Sequence, residues 1–417
     1  MRIPVTAEDA ELVRRFGTPL YVYQLDDITR ALRDLRAALP QHSALHYSLK
    51  ANPHPDLVAH LGAGGCHAEV SSDGELAVAV AAGVAGERCL YTGPAKTAAE
   101  IAAAVGLGVR RFSVESAVDF QRVAWVAAVA GVVAECLVRV ATTAGGAGGL
   151  RMTGAPTQFA VDPDDLFAHP ERFADLPGAT LVGAHFFSVS NVAGEDDLID
   201  ELVGGIRTAA RMRRAGYRMH HVDLGGGFAS PYARPGERPR YPRLRERLEV
   251  ELDGRLPGWR TGRPAVAFES GRYLVGDCGR LLCSVSDVKD RAGRRFVLLD
   301  GGINHLGGLS GLGRMLPAAT PLAAPHPDAG PATLTGPLCT PADVLSRAAP
   351  VGHLVPGQLV VFPHVGAYGL TASLLAFLSR PSPTEVVMRG TQVVSASRLV
   401  CERTWSVPAD PVEGSAG

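Results

Sequence analysis

Several short segments of the chain hold side chains that can do chemistry. Lys50 stands in Tyr47–Ser48–Leu49–Lys50–Ala51–Asn52–Pro53. A lysine in a walled site loses its proton readily and can form a Schiff base with a carbonyl carbon. An ordinary strand-end lysine reaching solvent fits the segment too. Asp223–Leu224–Gly225–Gly226–Gly227–Phe228 places three glycines together. Without Cβ atoms, their N–H groups can approach a phosphate closely; a tight turn is the plain alternative. The segment lacks the G-x-G-x-x-G spacing with a following acid, which disfavours dinucleotide binding.

Glu269–Ser270–Gly271–Arg272 offers an acid that can hold a proton on a ring nitrogen and an arginine that can clamp phosphate. An internal ion pair would explain it as well. Gly336–Pro337–Leu338–Cys339–Thr340–Pro341–Ala342–Asp343 sets a thiol between prolines, suited to proton transfer or to simple packing. In Gly366–Ala367–Tyr368–Gly369 the tyrosine hydroxyl can reach a phosphate, or merely fill a turn.

These segments need elements to position them. Strand-like runs occur at Ala44–Ala51, His67–Ser72, Cys89–Gly93, Arg111–Ser116, Cys136–Thr142, Leu181–Val189, His220–Gly227 and Ala265–Ser270. The first five start roughly 22–25 residues apart, the length of one strand, one helix and two loops. Helical patterns fill the gaps at Gly74–Ala82, Thr97–Val105 and Ala117–Val129. The pattern predicts a (β/α)8 barrel over residues 26–265, with a doubly wound sheet as the alternative. Lys50, the glycine run and Glu269 then fall at strand C-terminal ends, where barrel sites lie.

Past Glu269 the texture becomes strand-rich, at Arg280–Asp290, Arg295–Asp300, Gln358–Pro363 and Thr384–Val394. This predicts a mainly β domain over 266–417, joined by residues 1–25 through a strand at Tyr21–Tyr23. The Gly-, Pro- and Ala-rich stretch from Gly307 to Gly336 reads as a loop.

Composition narrows the function. The 417 residues carry a net charge of -1, with 41 basic and 42 acidic side chains, so no basic excess marks a nucleic-acid binder. The seven cysteines are scattered without Cys-x-x-Cys, which points to a reducing cytoplasm and away from a disulfide framework or structural zinc. Residues 1–19 have no signal-peptide apolar core, and the longest apolar run, Val123–Ala134, is too short for a bilayer. No metal site is expected. The adjacent His220 and His221 would point to opposite faces of a strand.

Taken in this order, the segments resemble the fold type III pyridoxal-phosphate decarboxylases. Ornithine and diaminopimelate decarboxylases belong to that family, and alanine racemase shares the barrel. The resemblance runs from about Gly17 to about Cys401. It implies a pyridoxal 5'-phosphate cofactor held as an aldimine on Lys50. It assigns the phosphate to Gly225, Gly226, Gly227, Arg272 and Tyr368. Ser190 approaches the cofactor, Phe187 stacks on its ring, and Glu269 pairs with the pyridinium nitrogen. Cys339, contributed across a homodimer interface, protonates the quinonoid, and Asp343 closes the same motif. An acid at Glu269, where alanine racemase has an arginine, favours decarboxylation over racemisation.

Departures from the family bear on the substrate. Thr340 replaces the acid that holds a distal ammonium in diamine-forming members, so ornithine, lysine and diaminopimelate are disfavoured. Phe187 replaces the ring-stacking histidine, Val189 a glycine, and Thr157–Ala160 a Ser-Lys-Phe-Gly. After Asp300–Gly301–Gly302 an altered loop leads through His305 to Arg314. His305 and Arg314, with Thr340 and Asp343, are the expected substrate contacts. Asp73 and Glu75 are candidates to orient Lys50, though Asp73 also fits a helix cap. Arg139 and Arg151 are candidates to reach the cofactor.

Phe187, the Cys-Thr-Pro form and Thr371–Pro381 resemble a side branch serving bacterial secondary pathways. That branch includes butirosin-type enzymes acting on a glutamyl group carried by an acyl carrier protein. The expectation is an α-decarboxylase of an L-amino acid or its conjugate, free or carrier-tethered. The alternatives are a diaminopimelate decarboxylase, a racemase or epimerase, and a non-catalytic PLP-binding homologue.

Overall fold

The computed structural model describes residues 5–142, 150–151, 158–187, 189–307, 331–349 and 354–404, with only the backbone of Leu150 and Arg151. The chain enters through β1 (Leu20–Gln24). It then builds a closed barrel of parallel strands. These are β2 (Ser43–Ser48), β3 (His67–Val70), β4 (Cys89–Tyr91), β5 (Arg111–Val114), β6 (Ala134–Arg139), β8 (Ala179–His185), β10 (His221–Asp223) and β11 (Ala265–Ser270). A short antiparallel pair, β7 (Leu150–Arg151) and β9 (Val189–Ser190), stands apart from it. Closure comes from β10, which pairs with β8 on one side and β11 on the other, and from β11 pairing with β2.

The local reasons are in the side chains. Barrel strands are covered on both faces, so they read as apolar runs rather than alternations. All of Cys89–Tyr91 is buried. The intervening helices start at hydroxyl caps. Ser72, Thr97 and Ser116 each accept from the backbone N–H three residues on. At Thr97 the Glu100 carboxylate reciprocates, completing a capping box.

The second unit is a sheet. Its strands are β12 (Gly279–Arg291), β13 (Arg294–Leu299), β14 (Ala332–Thr335), β15 (Val344–Ala349), β16 (Leu359–Pro363), β17 (Thr384–Arg389) and β18 (Gln392–Arg398). They run in the order β15-β14-β13-β12-β1-β17-β18, with β16 beside β12. β1 lies between β12 and β17, so the start of the chain completes the distant sheet. The expected loop to Gly336 is corrected at its end. Ala332–Thr335 pairs in parallel with β13, because Ala332 and Leu334 alternate inward against Thr333 and Thr335.

Two contacts join the sheet unit to the lysine turn. Tyr368 N donates to Ala51 O at 2.8 Å, and Asn52 Nδ2 donates to Gly366 O at 2.8 Å. Among the described residues no helix is long and apolar enough to cross a membrane.

One buried ion pair anchors the barrel wall. Lys96 Nζ donates to Gly93 O, Ser113 O and Asp119 Oδ2 at 2.7–2.8 Å. Removing one partner strands the other charge in the interior. Asp119→Ala is expected to cost about 3–5 kcal/mol, read as a lower denaturant midpoint of barrel unfolding. An unchanged midpoint would refute the anchoring role.

Candidate active site

Lys50 sits in a single 3-10 turn directly after β2. Its Nζ lies 3.1 and 3.2 Å from the two carboxylate oxygens of Glu69, at the end of β3. Thr92 Oγ1 donates to the same carboxylate at 2.6 Å and Ser71 Oγ at 3.3 Å. Burial alone would raise the Glu69 carboxyl. The Lys50 ammonium and neighbouring hydroxyls outweigh it and hold it down at about 2. Burial would likewise lower Lys50, but Glu69 and Glu269 raise it above the ordinary lysine range.

The Phe187 ring, after β8, lies 5.2 Å from Lys50 Nζ and 5.8 Å from the Arg139 guanidinium. Arg139, at the end of β6, donates to Glu115 Oε1 at 2.8 Å and also stands over Phe159. Glu115 Oε2 in turn accepts from Ala160 N at 3.0 Å. An aromatic face between two cations is attractive to both through its quadrupole.

Glu269 ends β11, buried, with Oε1 3.2 Å from His185 Nε2. Beside it, Asp223 Oδ1 accepts from Gly225 N at 2.8 Å. Gly225 takes φ +68°. A Cβ there would meet Phe186 O at 2.0 Å, and one at Gly226 would meet Glu269 O at 2.2 Å. Only a chain without side chains passes between these strand ends. The Arg272 guanidinium lies 4.5 Å from the Tyr368 ring centroid, and burial pushes it below the usual arginine range. One cavity is lined by Lys50, Phe187, Ser190, Gly227, Arg272 and Tyr368, with Glu269 among the remaining walls.

The residues present fit pyridoxal phosphate. Arg272 Nε is buried without a hydrogen-bond partner, and Glu269 Oε1 has no well-aligned donor. Gly227 of the glycine run lines the same cavity, while the Gly225 N–H is taken by Asp223. An arginine and open backbone suit a phosphate, a carboxylate suits a pyridine nitrogen, and an amine suits an aldehyde.

The structure does not bring every expected residue here. Cys339 is exposed. Thr340 and Asp343 line a different surface cavity with Arg294 and Arg295. Asp343 itself ties a loop together, accepting from Ile303 N and Leu338 N at 2.8 Å each. His305 is packed in the β unit beside Pro381, away from the Lys50 cavity walls. It is 3% exposed, its Nε2 is 3.2 Å from Pro381 O, and burial lowers it to about 4. Arg314 and the Arg151 side chain lie outside the described residues. Asp73 and Glu75 do not hold Lys50. Each accepts from backbone N–H groups near the start of its own helix.

Three important residues escaped the sequence reading. Glu69, His185 and Ser113 lie in barrel strands, and a polar residue near the C-terminal end of such a strand was the available signal. Ser113 Oγ stands 2.7 Å from His185 Nδ1.

The barrel, with a lysine and an arginine lining one cavity at its C-terminal mouth, fits a pyridoxal-phosphate enzyme. The family model for the pyridoxal binding domain of pyridoxal-dependent decarboxylases matches residues 25–276. The chain belongs to this family and is a carboxy-lyase. It is 30% identical over 396 residues to the L-glutamyl-[BtrI acyl-carrier protein] decarboxylase of Niallia circulans, covering 92% of this chain and 91% of that one. It is 30% identical over 390 residues to the diaminopimelate decarboxylase of Zymomonas mobilis, covering 91% and 90%. The fold matches the diaminopimelate decarboxylase of Helicobacter pylori complexed with L-lysine, with a TM-score of 0.80 at 24% identity and 93% and 95% coverage.

Two measurements check the geometry. In Glu69→Gln apo-protein, Lys50 should lose its counter-charge and deprotonate more easily. Competitive acetylation at pH 8, read by mass spectrometry, should speed up about tenfold per unit of lowered pKa; an unchanged rate would exclude the ion pair. Gly226→Ala forces the backbone off Glu269 and should weaken cofactor binding by about 1–3 kcal/mol. A fluorescence titration with pyridoxal phosphate measures it, and wild-type affinity would mean the run is not the cradle.

Proposed function

We propose that this chain removes the α-carboxylate of an L-amino acid conjugate whose side chain carries no free ammonium. A carrier-tethered aminoacyl group belongs to that class. The observation that carries decarboxylation is the buried carboxylate of Glu269 at the floor of the Lys50 cavity. Pyridoxal phosphate, when bound, supplies the electron sink for the carbanion left by loss of CO2.

The chain's own residues do the rest. Arg272 and the Gly225–Gly227 backbone hold the phosphate, with Tyr368 packed on the arginine. Glu269 holds a proton at the ring nitrogen. Glu69, at 3.1 Å, pairs with the Lys50 ammonium and orients it toward the cavity. Phe187 covers one ring face with an apolar surface and keeps water from it. Cys339 returns a proton to Cα. It is exposed and absent from the walls of its own chain's cavity, which supports a role in the site of a second copy. Thr340 beside it offers a hydroxyl in place of a charge, so a distal ammonium finds no counter-ion. The printed activity of the Niallia circulans relative, on a glutamyl group bound to a carrier, supports the tethered class.

Purified protein loaded with pyridoxal phosphate and reduced with borohydride should carry the cofactor on Lys50, and Lys50→Ala should not. CO2 release is then expected from an aminoacyl-carrier substrate and not from lysine, ornithine or diaminopimelate. Release from the free diamino acids would overturn the substrate class, and racemisation without CO2 would overturn the reaction. Cys339→Ala should lose about 10²–10⁴-fold in kcat while keeping its cofactor. Mixing Lys50→Ala with Cys339→Ala should restore up to about a quarter of wild-type activity, since random exchange leaves one intact site in half of the dimers. No recovery after verified exchange would refute a shared site.

A further inference from the structure

Below the cavity the barrel interior holds four ionisable side chains, of which the proposed reaction uses Glu269 alone. They are His46 on β2, His185 on β8, Asp223 on β10 and Glu269 on β11, exposed by 4%, 2%, 1% and 1%. Ligand-capable atoms of His185, Asp223 and Glu269 lie within 4.8 Å of one another. Two carboxylates this close in a low-dielectric core do not both ionise unless positive charge or donors face them.

Each carboxylate has its own imidazole. Asp223 Oδ2 is 3.2 Å from His46 Nδ1, and its other oxygen is committed to Gly225 N. Glu269 Oε1 is 3.2 Å from His185 Nε2. The far side of the His185 ring is held in turn by Ser113 Oγ, 2.7 Å from Nδ1. Ser113, His185 and Glu269 thus form a line across three strands, ending at the acid of the cavity floor.

The surrounding charges make this line necessary. Burial is the largest influence on Glu269 and favours its neutral form; Glu69 from β3 and Asp223 from β10 push the same way, while His185 opposes them. Burial also disfavours a charged His185, but Glu269 and Asp223 outweigh it against the opposing Arg139 of β6, and its pKa rises. Lys50, beyond β2, adds a further positive charge that interacts with Glu269. A neutral carboxyl cannot stabilise a pyridinium proton. The acid therefore needs its partner from behind.

We propose that His185 is a positioning residue that keeps Glu269 ionised and aimed at the cofactor's ring nitrogen, with Ser113 fixing the imidazole ring. This rests on the reading above that Glu269 faces that nitrogen. His185 touches neither substrate nor cofactor and acts only through Glu269.

The test reads the ring proton itself. Holoenzyme is reconstituted with pyridoxal phosphate labelled with ¹⁵N in the ring, and the nitrogen resonance is followed from pH 6 to 9. Wild type should stay protonated through this range. His185→Leu should move the loss of the ring proton down by about one pH unit or more. His185→Gln, which keeps a donor without the charge, should fall between them. Ser113→Ala, which leaves the imidazole in place, should shift the titration the same way by less. It carries the test if His185→Leu fails to fold or load. Glu269→Gln is the control. Unshifted titrations in the histidine and serine variants, with a shift in Glu269→Gln, would overturn the role of His185 alone. An unshifted titration in Glu269→Gln would overturn the placement of Glu269 and this inference with it.

Discussion

A closed parallel barrel covers its strands on both faces, so an ionisable group at a strand end is held in a poor solvent for charge. It must find a partner there or give up its charge. The site follows from that constraint. Lys50 meets Glu69, Arg139 meets Glu115, His185 meets Glu269 and His46 meets Asp223, each pair joining the ends of neighbouring or next-neighbouring strands. The pairs fix the side chains and also set their protonation. Glu69 is strongly acidic because an ammonium faces it, whereas Glu269 is drawn toward neutrality by burial and by other acids.

The β unit completes what the barrel begins. Its Tyr368 stands over Arg272 and donates its backbone N–H to the lysine turn. Asn52 reaches back to Gly366. Deeper in the same seam, Tyr23 donates to Glu385, whose carboxyl burial raises to about 7. A carboxyl drawn toward its neutral form, with a phenol donating to it, suits this buried position better than a full charge would. The lysine turn therefore has no independent position; sheet contacts from more than three hundred residues downstream hold it.

Much of the fold was legible along the chain because its signals are local. Apolar runs marked all of the barrel strands, and helical patterns marked Gly74–Ala82, Thr97–Val105 and Ala117–Val129 between them. The strand at Ala332–Thr335 escaped notice because its neighbours are rich in Gly, Pro and Ala, and a four-residue alternation carries little signal. The glycine run was legible for a different reason. Its composition reports an approach so close that a methyl group would collide with Glu269 O.

The sequence by itself determined which chemistry was available: an amine at Lys50, an acid and an arginine at Glu269 and Arg272, a glycine backbone near them at 225–227, and a hydroxyl at Thr340 beside the thiol of Cys339. Tertiary structure alone decided which group faces which. Glu69 lies 19 residues from Lys50 and His185 lies 72 residues from Ser113. Barrel closure makes neighbours of side chains on strands far apart in sequence. It also buries His305 and leaves Cys339 exposed, because packing depends on which surfaces the folded chain covers and local residue order does not record that. Charge state was decided at the same level, since it depends on burial and on every ion within a few ångströms.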